Sequence, residues 1–145
     1  MPSKLVIGLD GHASGERALA HGMRLAELIG ACELLVVYVI EWSPFSFQTA
    51  EENAQRHKRR EEEIAMAKER VVEPAVAGLT AAGITARGIG KHGDVADILN
   101  SISEKEGAEQ IIVSRSSEGG FAKRIFGSST SNLVMNATVP VTVVS

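Results

Sequence analysis

Residues Leu34 to Ile40, LLVVYVI, are apolar at every position. A strand with one wet face alternates apolar and polar residues, whereas a run without alternation suits a strand covered by helices on either side of a parallel sheet. LLVVYVI is therefore read as a central strand. Parallel neighbours need long crossovers, so the flanking sequence should supply further strands separated by helices.

Upstream, Lys4 to Leu9, KLVIGL, is a short apolar run that stops in the polar turn Asp10-Gly11-His12. Ser14 or Gly15 can open a helix whose apolar face is Ala18, Leu19, Met23, Leu25, Ala26 and Ile29, and Gly30 is placed to end it. Downstream, Glu41 to Glu52, EWSPFSFQTAEE, contains Pro44 and several turn formers and reads as a mobile surface connection. A helical pattern then runs from Ala50 to about Ala82. It starts with the charged run RHKRREEE, Arg56 to Glu63, a solvated face of interleaved signs. It continues with apolar Ile64, Val71, Val72, Val76 and Leu79, and Pro74 should kink or loosen it.

Ile84 to Ile89 alternates as a third strand, and Asp94 is set to cap a helix over Val95 to Ser103. Ala108 to Val113 is the fourth strand, Ser129 to Asn136 forms the last helix, and Val139 to Val144, VPVTVV, is the fifth strand. Its proline fits an edge better than a sheet interior. Five strands alternating with helices predict a doubly wound α/β fold: a five-stranded, mostly parallel sheet with helices on both faces, one domain over residues 1–145. Ligands should bind beyond the carboxyl ends of the strands.

Composition narrows the function. With 44% hydrophobic and 23% charged residues in 145, the chain can bury one core. A net charge of -3 offers no basic footprint for nucleic acid. MPSKLVIGLDGH lacks the apolar centre of a signal peptide and no run of roughly 18 apolar residues could span a bilayer, so a cytoplasmic location away from membranes is expected. Cys32 is the only cysteine, which excludes an intrachain disulfide and a cysteine-based zinc cage.

Several chemistries fall away at the motif level. Gly8 to Gly15, GLDGHASG, places Asp10 where a dinucleotide fingerprint needs its second glycine, and a carboxylate there repels a pyrophosphate. There is no Walker loop, no metal-ligand spacing among the four histidines, and no G-x-S-x-G elbow. Asp10 remains, immediately after the first strand, either to accept from a ribose or base or to cap the next helix. Val39 remains near the end of the second strand, either to offer backbone groups to an adenine edge or simply to pack. The stretch VSRSSEGGFAKRIFGSS, Val113 to Ser129, leaves a strand, passes Ser114 and Ser117 and returns at Gly127 to a helix start. Backbone N–H groups and the hydroxyls of Ser128 and Ser129 suit an anion there, with Lys123 and Arg124 adding positive charge. Taken alone, the same stretch reads sooner as a flexible Ser/Gly connection with solvated cations.

It is not alone. KLVIGLDGHASGERALAHGMRLA, VVYVIEW, KHGDVADILN and FGSSTSNLVMNATVPVTVV together resemble the universal stress protein family over essentially the whole chain. The resemblance implies a Rossmann-like fold of the adenine nucleotide alpha hydrolase kind, a homodimer paired through the last strand, and an ATP site. The family's ATP pattern is Gly, two residues, Gly, nine residues, then Gly followed by Ser or Thr. Its final pair falls on Gly127-Ser128 and its two leading glycines fall on Ser114 and Ser117. The resemblance gives adenine- and ribose-facing roles to Asp10 and Val39. It gives phosphate-facing roles to Gly127, Ser128 and Ser129, with Val113, Ser114 and Ser117 at the start of the loop. Serine keeps the backbone N–H, but its Cβ crowds a ligand and disfavours positive φ, a strain of order 1 kcal/mol where such a φ is required.

Two functions follow from the resemblance. One is an ATP-binding regulatory or signalling module of the stress response, with magnesium accompanying the nucleotide. The alternative is a homodimeric stress-associated interaction protein that leaves the pocket empty. Slow ATP hydrolysis is weaker than either, since neither a base nor a Walker-type magnesium ligand set can be assigned, and no residue is assigned to catalysis or metal.

Overall fold

The structure is a computed structural model and describes residues 2–9, 14–41, 50–115 and 128–145. The chain runs β1 (Ser3–Leu9), α1 (Ser14–Ile29), β2 (Cys32–Glu41), α2 (Ala50–Ala67), a wide helical turn (Lys68–Val72), α3 (Glu73–Ala81), β3 (Thr85–Gly93), α4 (Val95–Glu106), β4 (Gln110–Ser114), α5 (Ser128–Asn136) and β5 (Val141–Val144). The strands form one sheet in the order β3-β2-β1-β4-β5, and every neighbouring pair is parallel. This is the α/β architecture expected of the sequence, and the mostly parallel sheet is in fact wholly parallel.

The missing alternation in LLVVYVI has its cause here. Leu34 and Val36 enter one core with Leu5, Ile7 and Ile112, beneath α1 and α3; Leu35, Val37 and Val39 enter another with Val6, Ile111 and Val113, beneath α4 and α5. Both faces of β2 are dry, so both must be apolar.

Helix ends follow their local chemistry. Gly30 ends α1 at φ 90°, its N–H donating to the Ala26 carbonyl at 2.9 Å. Asp94 caps α4 by accepting from the Asp97 N–H at 3.0 Å, and Gly107 closes that helix at φ 68°. Pro74 does loosen the long helix: it lies in the first turn of α3, directly after the wide turn, in which the Glu73 N–H reaches back five residues to the Lys68 carbonyl. Proline cannot make the ordinary bond four residues back, and the wider turn accommodates that loss.

Several strand boundaries differ from expectation: β2 spans Cys32–Glu41 rather than Leu34 to Ile40, and β4 spans Gln110–Ser114 rather than Ala108 to Val113. β3 continues past Ile89 to Gly93, pairing Val39 with Lys91 and Glu41 with Gly93. Gly88 and Gly90 within it are close approaches rather than turns. A Cβ at Gly88 would overlap Val72 Cγ1, and one at Gly90 would lie 2.7 Å from Lys68 Cγ. β5 begins after Pro140 rather than at Val139, and as an edge strand it tolerates the proline beside it. The expected connection over residues 42–49 lies outside the described residues.

At the amino end of the sheet, Arg87 donates to Glu106 at 2.6 Å and to Glu33 at 3.3 Å, while Lys4 meets Glu106 at 3.2 Å. The hydrogen bond from Arg87, and after it the one from Lys4, hold the Glu106 carboxyl below its ordinary range. Stabilisation from this cluster is therefore present above the usual carboxylate pKa and fades as pH falls below it. Burial, with Glu109 and Glu33 behind it, pushes the Cys32 thiol up, and this buried cysteine is a core residue as expected.

Candidate functional site at the carboxyl ends of the strands

Because every pairing is parallel, all five carboxyl ends share one edge. The chain builds outward from β1 through β2 to β3, then returns to β4 on the other side of β1, so the topological switch lies between β1 and β4. Among the described residues, the β1–β2 ladder ends at Leu9 and Tyr38, and the β1–β4 ladder at Gly8 and Val113. The β2–β3 ladder runs on to Glu41 and Gly93. Val39, Ile40 and Glu41 thus lie beyond the described end of the β1 ladder, at the carboxyl edge of the sheet near the switch point.

Val39 and Val113 are each 8% exposed and packed in the core that includes Ala96 and Leu99. What they can offer a ligand is backbone and the rim of a side chain. Val39 packs in the core, as one of its two readings expected.

Ser114 behaves differently from a stand-in for glycine. No non-glycine residue among those described has a positive φ, so the left-handed strain considered for a serine is not present at this position. Its side chain, 8% exposed, turns to α1, where its hydroxyl accepts from the Ala18 N–H at 3.1 Å. The next residue is held from two directions: the Arg115 N–H donates to the Val144 carbonyl at 2.7 Å, and the Arg115 carbonyl accepts from Arg17 Nη2 at 3.1 Å.

Ser128 and Ser129 form the first turn of α5, where backbone N–H groups have no partner within the helix and attract an anion. Their side chains, and all of Asp10, Ser117, Gly127, Lys123 and Arg124, lie outside what is described. Among the described residues no group of three or more His, Cys, Asp or Glu could hold a metal ion. Sequence reasoning passed over Arg17. Its signal is a cation four residues into α1, where the helix dipole opposes positive charge.

No helix among the described residues is long and apolar enough to cross a membrane. A comparison with curated proteins finds no match. Among solved structures, universal stress protein UspA from Lactobacillus plantarum is 17% identical, with a TM-score of 0.80 over 99% of this chain and 97% of that one. A universal stress protein in complex with cAMP is 20% identical, with a TM-score of 0.63 over 99% and 96%. The universal stress protein from Archaeoglobus fulgidus in complex with dAMP is 16% identical, with a TM-score of 0.60 over 99% and 98%. Likeness at these identities shows the fold. The model of the Universal stress protein family matches residues 1–145, and the chain belongs to that family.

Proposed function

We propose that this chain is a cytoplasmic, single-domain regulatory or signalling module that binds an adenine nucleotide, ATP with its magnesium, at the carboxyl ends of β1, β2 and β4. The observation that carries this reading is the topological switch between β1 and β4 on the shared carboxyl edge of the sheet, where parallel α/β folds take ligands. The first turn of α5 supplies the anion-attracting end that a triphosphate needs. Two proteins of the same fold are complexed with cAMP and dAMP, which supports an adenine nucleotide as the ligand class. The adenosine is assigned to Asp10 and Val39, and the phosphates to Ser114, Ser117, Gly127, Ser128 and Ser129. Titration calorimetry with ATP and magnesium should show saturable binding, and Gly127→Val should weaken it at least tenfold by obstructing the approach of phosphate to backbone, roughly 1.4 kcal/mol. Absence of heat at millimolar ATP in the wild type would leave the interaction-protein reading in its place.

That second reading has its own support at β5. This edge strand is only half-buried, and the neighbouring helix α5 exposes Val134 and Met135 by 51% and 81%. An apolar edge of this kind invites pairing with a second copy. We assign a homodimer to β5 in either reading. Light scattering at tens of micromolar should give the mass of two chains, and Val141→Lys should return the monomer; a monomeric wild type removes the assignment.

A further inference from the structure

The helical crossover between β2 and β3 is anchored in only one of its halves. Val72, in the wide turn, is fully buried and Leu79 of α3 is 3% exposed; both enter the core with Leu34 and Val36. Of the described side chains of α2, none is buried: Arg56, Arg60, Ile64 and Ala67 are half-buried and the rest are exposed, Met66 by 50%. Helices in folded proteins take most of their stability from packing, and α2 takes little from the core.

α2 meets β3 near its last turns. Ile64 Cγ2 lies 3.4 Å from where a Gly90 Cβ would be, and Glu63 Oε2 is bonded to His92 Nε2 at 3.0 Å. Ile64 lies at Gly90 and Val72 at Gly88, so the helix runs antiparallel to the strand. From Ile64 back to Ala50 is about 21 Å of helix, whereas about 10 Å of β3 remains from Gly90 to Gly93, which leaves about the first 10 Å of α2 beyond the end of the strand. Just behind the attachment the helical ladder is interrupted: the Glu73 N–H reaches back five residues to the Lys68 carbonyl, and Pro74 has no N–H to donate. The interruption falls at the junction of the two halves, where they can part without breaking a regular ladder.

We propose that α2 opens separately from the rest of the fold, as a segment bounded by the wide turn and latched to β3 by the Glu63–His92 bond. Opening frees residues 50–67 and bares Gly90 and His92 beside the carboxyl edge of the sheet, while the wide turn, α3 and the sheet stay folded. A segment that switches between closed and open next to the edge where α/β folds take ligands is a two-state element that a bound molecule can bias. The device is the same whether or not a nucleotide occupies that edge.

Native-state amide hydrogen exchange of the whole chain tests this, comparing wild type with Glu63→Ala, Glu63→Gln and Glu61→Ala. In wild type the α2 amides should be protected, yet exchange at least about tenfold faster than those of β2 and Leu79, with a weaker dependence on urea. Alanine is the better helix former, so propensity alone would slow α2 exchange in Glu63→Ala; loss of the latch should instead speed it about three- to tenfold, as expected for one hydrogen bond, and leave β2 and Leu79 unchanged. Glutamine keeps a side-chain oxygen for His92, so Glu63→Gln should recover part of the effect. Glu61→Ala removes only a pair within the helix, His57 with Glu61 at 3.0 Å, and should change α2 exchange less than about twofold. α2 amides that exchange together with β2 in one global step would overturn the proposal, as would α2 amides without protection in wild type. So would a Glu63→Ala variant with no acceleration, with equal acceleration in the sheet, or with an effect that Glu61→Ala reproduces.

Discussion

Ile112→Ala should lower the free energy of unfolding by about 2–5 kcal/mol, the range for a large buried aliphatic side chain cut to a methyl group. Ile112 is fully buried on β4, pairs with Ile7 of β1 and Thr142 of β5, and contributes to the core beneath α1. That core has little freedom to collapse into a cavity. α1 approaches so closely at Gly22 that a Cβ there would overlap Ile7 Cδ1, so the helix already rests on β1 and has little room to move inward. The milder Ile112→Val should cost about 0.5–1.5 kcal/mol. Urea unfolding with a common m-value checks both. A loss below about 1 kcal/mol for the alanine variant would show that the layers can shift to refill the space.

The second large effect comes from adding a methyl group. Gly88→Ala should destabilise by about 1–3 kcal/mol, because the new Cβ would overlap Val72 Cγ1 and approach Val76 Cγ2 to 3.3 Å. Removing a glycine from a strand ordinarily stabilises by about 0.4–1 kcal/mol through the unfolded chain, so the two effects have opposite signs. Overlap should win because Val72 is fully buried and β-branched, with no long flexible end to swing aside. A double-mutant cycle isolates the cause: in a Val72→Ala background, the same glycine substitution should cost little or become favourable. If the cost is unchanged there, the close packing of the wide turn against β3 is not its source.

These two positions also mark what the sequence made legible and what it did not. Ile112 sits in an apolar run, and its burial followed from the pattern that identified β4. LLVVYVI announced a strand dry on both faces, Gly30 and Asp94 announced helix ends, and Pro74 announced a disturbance, all through signals contained within a few residues. Gly88 and Gly90 carried no such signal. β3 was expected over Ile84 to Ile89, which kept Gly88 inside the strand without a role and left Gly90 beyond it, whereas both glycines allow Val72 and Lys68 to lie against the strand. Only the tertiary partner distinguishes these cases.

The site divides in the same way. The sheet edge that should bind a ligand was readable from element order, and Val39, Val113 and Ser114 stand near it. The bond from the Ala18 N–H to Ser114 spans 96 residues and that from Arg17 to Arg115 spans 98. No local pattern contains such pairs. A serine in a glycine's place was therefore legible as an irregularity, while its bond to α1 was not.

The wide turn at Lys68–Val72 carries a consequence for phase. At about 100° per residue, Ile64 and Val72 would stand about 80° apart on an uninterrupted α-helix. Absorbing one extra residue between them reduces the offset to about 20°, so both can face the glycines of β3: Ile64 Cγ2 lies 3.4 Å from where a Gly90 Cβ would be, and Val72 covers Gly88. The turn thus works as a phase corrector, letting two helical segments whose apolar stripes are out of step in the sequence share one strand. Deleting a single residue from it would be felt as a rotation of α2 about its own axis, far more than as a shortening by one residue.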